Sequence, residues 1–140
     1  MFAPSNASTA YATMGVESGV QAATPHKLIL MLFDGAMLSL ASASHNMAQK
    51  NIPEKGADIS KALDIINNGL RASLDVQAGG ELAERLYSLY EYMCMRLLHA
   101  NLHNDEAALN EVSRLLGELR SAWEEIADDP AVVSANRAVA

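Results

Sequence analysis

The stretch TPHKLILMLFDGAMLSLASASHNMAQK, residues 24–50, decides the fold. Thr24 is a good helix N-cap, and Pro25 suits the first helical position because its missing N–H would be unpaired there anyway. Ile29, Phe33, Ala36, Leu40, Ala43 and Met47 then recur at alternating steps of four and three, which is one face of an α-helix. Pro53 marks the next break. Over Leu28–Phe33 the segment is apolar nearly all round, more than the roughly three core positions in seven that a bundle helix needs.

Three more helical patterns follow. A second helix is predicted over about 54–76, with Ile59, Leu63, Ile66, Leu70 and Leu74 as its main stripe and Gly56 and Gly69 weakening it locally. Gly79-Gly80 reads as a turn. A third runs over about 81–103 with Leu82, Leu86, Leu89, Met93, Leu97 and Ala100 facing the core. Asn104-Asp105 offers a cap for a fourth, which carries Leu109, Val112, Leu116, Leu119, Trp123 and Ile126 to about Ala127 and stops before Asp129-Pro130. No strand-like alternation competes. Short connections between long helices make sequential neighbours antiparallel. The expected architecture is an all-α, up-down-up-down four-helix bundle over 25–128, with an N-terminal arm at 1–24 and a flexible C-terminal tail at 129–140. The arm is rich in Ala, Ser and Thr and carries one formal charge, Glu17. It is expected to be mobile, with a short capping helix near Ala7–Met14.

Composition excludes several function classes. Half of the 140 residues are hydrophobic and 19% are charged, unlike a disordered chain. The net charge is −7, and no run of Lys or Arg appears, so nucleic acid is not an expected partner. Cys94 is the single cysteine, which fits a reducing compartment. The longest apolar run, LILMLF at 28–33, is far shorter than a membrane span, and the first basic side chain is Lys27. A cytoplasmic protein without membrane insertion is expected.

Catalytic chemistry is missing at the level of spacing. No Glu has a His three residues on, as bundle di-iron sites require. His99 and His103 share a helix face, but they sit at a helix end where imidazoles complement the dipole, and a third metal ligand is lacking unless Asp105 bends back. His45 has Lys50 on the wrong face for a phosphotransfer bundle. Cys94 reads as a small buried hydrophobe. No enzyme activity, metal or cofactor is expected.

A surplus of apolar surface points to binding instead. Beside its main stripe the second helix carries Ala62, Ile65, Gly69, Ala72 and Val76; the third carries Ala83, Tyr87, Tyr90, Cys94 and Leu98. A bundle helix needs about three core positions in seven. The excess suggests a groove for an amphipathic partner helix, with the arm as an internal competitor. The candidate partner-contact residues are Tyr11 and Met14 in the arm, Ile65, Ile66 and Leu70 on the second helix, and Tyr87, Tyr90 and Met93 on the third.

Tyr11, TPHKLILMLFDGAM (24–37), KALDIINNGLRASLD (61–75), GGELAERLYSLYEYM (79–93), the AN pair at 100–101 and EVSRLLGELRSAWEEI (111–126) together resemble the FliS family of bacterial flagellin export chaperones, in the family's order. One departure is Phe33, where the family often has tyrosine. The resemblance implies binding of the C-terminal segment of flagellin in the cytoplasm, protection from premature polymerisation, and delivery to a component of the flagellar type III export gate. It also implies an arm that covers part of the binding surface when flagellin is absent, and a partner contact for Tyr11. The alternative is a regulatory adaptor that binds a flagellar gene regulator through the same helices.

Overall fold

The computed structural model describes residues 23–133. Four helical stretches follow one another: α1 Pro25–Ala48, α2 Ile52–Asp64, which continues directly as a π-helical segment Ile65–Arg71, α3 Val76–His103 and α4 Glu106–Glu125. Among the described residues there is no strand. The arm and the capping helix expected in it, including Tyr11 and Met14, and the tail beyond Val133 lie outside the described residues. At 129–133 the chain does not simply unwind: Asp129 Oδ1 accepts from the Ala131 N–H at 2.8 Å and starts a further helical turn.

The expected punctuation is largely in place. Thr24 Oγ1 accepts from the Lys27 N–H at 3.1 Å, which caps α1. Asn104 takes the left-handed conformation (φ 52°) that closes α3, and Asp105 caps α4 through the Ala108 N–H at 3.2 Å. The Gly79-Gly80 turn is displaced in part. Asp75 accepts from the Ala78 N–H at 3.0 Å and so starts helical structure several residues early. The interruption then falls on Gly80, whose φ of 57° and ψ of −137° only glycine adopts without strain.

Polar cross-links show that every neighbouring pair runs antiparallel. Near the end of α1, Ser42 Oγ and Asn46 Nδ2 both donate to Asp58 of α2 at 2.7 Å. Lys55, at the start of α2, is buried and donates to the Asn101 carbonyl (2.9 Å) and Asn104 Oδ1 (2.5 Å) at the end of α3. Glu111 of α4 accepts from Tyr92 (2.6 Å) and Arg96 (2.8 Å) of α3. The circuit closes between the start of α1 and the end of α4. His26 Nε2 lies 2.7 Å from the Trp123 carbonyl, the Trp123 indole N–H donates to the His26 carbonyl at 3.0 Å, and the two rings stack with centroids 4.7 Å apart. The result is an antiparallel four-helix bundle.

α1 is the centre of the core. By length and composition it could cross a membrane, but half of its most apolar window is buried within the bundle. Leu28, Ile29, Leu32, Phe33, Ala36, Leu40 and Ala43 are all enclosed by the other helices. Each fully buried Leu, Ile or Phe contributes about 1.5–3 kcal/mol of transfer free energy.

The π segment overturns the expected groove on the second helix. Its i→i+5 bonds take in more chain per turn than an α-helix. Buried residues consequently recur as adjacent pairs: Ile65 and Ile66, Gly69 and Leu70, Ser73 and Leu74. The main stripe of that helix thus points inward as far as Leu74, and the second as far as Gly69. Only Ala72 and Val76 of the second stripe are exposed.

Two consequences are measurable. Lys55→Met leaves the C-terminal carbonyl and the Asn104 amide oxygen of α3 without their donor, and is expected to cost about 1–3 kcal/mol in urea unfolding. Tyr92 and Arg96 hold the Glu111 carboxyl below its usual range. Because its folded pKa is depressed, Glu111 stabilises the fold above the unfolded pKa of about 4.3, and that contribution is lost as pH falls through the lower folded value. In acid titrations of thermal stability, Glu111→Gln should flatten the loss below about pH 4 relative to the parent chain.

Candidate functional site

The seam between α3 and α4 is closed by polar contacts at one end and opens into an apolar groove at the other. Phe33, Leu82, Leu86, Tyr90, Leu119, Ala122, Trp123 and Ile126 line a cleft of about 220 Å³. Leu82 is 52% exposed and Ile126 40%, although both occupy positions predicted to be core. The reason lies in helical phase and in length. The buried face of α3 follows Ala83, Tyr90, Met93, Leu97 and Ala100, one residue out of phase with the predicted stripe near its N-terminal end, so Leu82 turns outward. On α4, burial is complete through Leu116 and then declines through Leu119 and Trp123 to Ile126. The apolar stripes of both helices run past the point where packing covers them.

The candidate contact residues on the helices fall into two groups. Ile65, Ile66, Leu70 and Met93 are core side chains with no surface to offer. Tyr90 is also buried, but it forms part of the groove wall, and burial pushes its phenol pKa well up. Tyr87 is the one that remains at the surface. The Arg71 guanidinium lies 4.0 Å above its ring centroid, Arg71 Nη2 donates to its hydroxyl, and Arg71 also reaches Glu91 at 3.5 Å. That contact ties the end of the π segment to α3 on the side away from the groove. Sequence reasoning placed Leu82, Leu86, Leu119, Trp123 and Ile126 in the core: Leu86, Leu119 and Trp123 do pack against it, half-buried, whereas Leu82 and Ile126 are exposed, and the groove they form together was missed. The available signal was the persistence of large apolar residues to the very ends of α3 and α4.

A second apolar surface lies on the outward face of α3. Met95, Leu98 and Leu102 follow one another at steps of three and four, and Leu102 is 78% exposed. Leu98 had been expected there; Met95 and Leu102 had not.

Nothing in these surfaces resembles catalytic machinery. The His99 and His103 rings are 4.5 Å apart, and His99 Nε2 lies 3.1 Å from Asp105 across the α3–α4 corner. Among the described residues no group of three His, Cys, Asp or Glu side chains is placed to hold a metal ion. Burial pushes the half-buried Cys94 thiol up, away from the reactive thiolate.

Known proteins give this arrangement a family. The family model for flagellar protein FliS matches residues 7–130. The flagellar secretion chaperone FliS of Salmonella typhimurium is 50% identical over 117 residues, covering 84% of this chain and 87% of that protein. The Escherichia coli protein of the same name is 46% identical over 124 residues, covering 89% and 91%. The Bacillus subtilis one is 30% identical over 109 residues, covering 78% and 80%. A helical bundle with an apolar groove suits such a role, and the chain belongs to the FliS family of flagellar secretion chaperones, which serve a flagellar protein client and are not enzymes.

Proposed function

We propose that this chain binds the C-terminal segment of flagellin in the cytoplasm, keeps it from polymerising, and delivers it to a component of the flagellar type III export apparatus. The observation that carries this reading is the open α3–α4 groove, an apolar cleft at the end of an otherwise well-packed bundle. Its lining of Leu, Ile, Trp and Ala suits the apolar face of an amphipathic helix. The stripe Met95, Leu98 and Leu102 lies farther along α3, near the opposite end of the bundle. Two separated apolar surfaces favour a client that lies along the bundle in several segments over one that docks as a single compact domain. The same names among the relatives favour the secretion role over a regulatory adaptor.

The arm, residues 1–24 with Tyr11 and Met14, is the proposed internal competitor. Its junction with the bundle supports this: two residues after Thr24 comes His26, which is stacked on the groove wall Trp123. The arm therefore joins the bundle at the groove's rim, and its effective concentration there is of order millimolar.

A peptide of the last ~40 residues of flagellin from the same organism is expected to bind at micromolar Kd or tighter, about −8 kcal/mol or stronger, with negative ΔCp in calorimetry. Absence of binding would refute the client assignment. Trp123 is the only tryptophan, so binding in the groove should shift its emission, and binding elsewhere should not. Leu82→Asp should weaken binding with helicity unchanged. Deleting residues 1–22, which spares the Thr24 cap, should tighten or speed binding; unchanged rate and affinity would show that the arm does not compete.

A further inference from the structure

The charges along the α3–α4 seam carry information about the segment that fills the groove. Glu111 bridges to Tyr92 and Arg96 at the closed end. Two helical turns farther along the same edge of α4 stands Glu118, and two turns beyond that Glu125. Stepping the antiparallel pairing on by the same amounts puts Leu89 across from Glu118 and Leu82 across from Glu125. Neither leucine offers a donor. Glu118 is paired along its own helix with Arg114 at 3.0 Å. Glu125, beside the groove residues Ala122 and Ile126, makes no ion pair among the described residues.

The end of α4 is unbalanced in a second respect. α1, the π continuation of α2, and α3 have His45, Arg71 and His103 in their last turns, where a basic side chain complements the partial negative charge of the helix end. α4 has no basic residue in its last turn. Glu124 and Glu125 close it, and Asp128 and Asp129 follow. Arg120 answers part of this charge, at 2.5 Å from both Glu124 and Asp34, and His26 meets the Trp123 carbonyl. The groove lining itself is apolar, and the acidic residues at the end of α4 stand outside it, with Glu125 next in sequence to the lining residue Ile126.

We propose that the client segment seated in this groove is an amphipathic helix carrying a lysine or arginine at the end that meets the α4 C-terminus, with Glu125 as its counter-charge. This rests on the client reading above and adds a chemical specification to it. An apolar cleft alone holds a helix with little preference for register. A single cation opposite Glu125 selects one register and speeds encounter, which is how charge acts at the rim of an interface.

The test uses the full chain and the same flagellin peptide, followed by stopped-flow Trp123 emission and calorimetry at low and high salt. Glu125→Gln should weaken binding about twofold to fivefold at low salt, and Glu125→Lys by more, mainly through the association rate. The differences should shrink as salt rises. Glu54→Gln removes the same charge from an exposed carboxylate at the opposite end of the bundle, one without an ion pair among the described residues, and should change nothing. A peptide with its basic residues replaced by Glu should recover affinity for Glu125→Lys. Equal binding by the parent chain, Glu125→Gln and Glu125→Lys would overturn the inference and leave the client reading standing. Binding that leaves Trp123 emission unmoved would also overturn it, by placing the client elsewhere. No binding by the parent chain would remove both. Glu125 is exposed, so helicity of its variants by circular dichroism should match the parent.

Discussion

The structure depends on enclosing α1. A helix whose start buries Leu28, Ile29, Leu30, Leu32 and Phe33 keeps only a narrow outward edge, where Lys27 and Asp34 are exposed and Met31 is half-buried. A single partner helix covers one stripe. Covering α1 takes α2 and its π continuation on one side and α4 on the other, with α3 closing the ring across the core. The bundle is therefore arranged around its first helix, and the polar cross-links at the corners fix the register of helices that hydrophobic burial has already brought together. Lys55 at the end of α3 and His26 at the end of α4 act on helix ends, where unpaired carbonyls would otherwise be left in the interior or at its edge.

Closing the ring leaves one seam incomplete. α3 and α4 are held by Tyr92, Arg96 and Glu111 at one end, while at the other they meet only through the side chains of the groove. α2 and its π segment end at Arg71, so the beginning of α3 and the end of α4 have fewer neighbours than the rest of the bundle. A secretion chaperone that has to hold a flagellar protein client benefits from such a site. The rigid part of the bundle fixes the geometry, and the incomplete seam presents apolar surface without the protein having to unfold to expose it. Its placement beside the His26–Trp123 contact puts the entry of the N-terminal arm at the same place.

Much of this was legible in the sequence, for identifiable reasons. Thr24, Asp105 and Asn104 carry cap chemistry that acts within a few residues, so the bounds of α1 and the α3–α4 turn followed from local rules. The stripes Ile29–Ala43 and Leu109–Leu116 are strictly periodic, and all of their residues are buried. The π segment was not legible. Ile65 and Ile66 look like members of two α-helical faces, and only the wider turn, a consequence of tertiary packing, places both in the core. The groove was sought in surplus width, on the second stripes of helices two and three. It lies in surplus length, where Leu82, Leu119, Trp123 and Ile126 continue a core pattern beyond the helices that could cover it. Tyr90 was found because it belongs to both patterns.

The central claim is that the open end of the α3–α4 seam is the client's seat. Hydrogen exchange measured by mass spectrometry, with and without the flagellin C-terminal peptide, tests it most directly because helix ends and open seams exchange fastest in the free protein. The account predicts slowed exchange over residues 80–90 and 118–127 when the peptide is bound. Tight binding that leaves those two segments unprotected would contradict it.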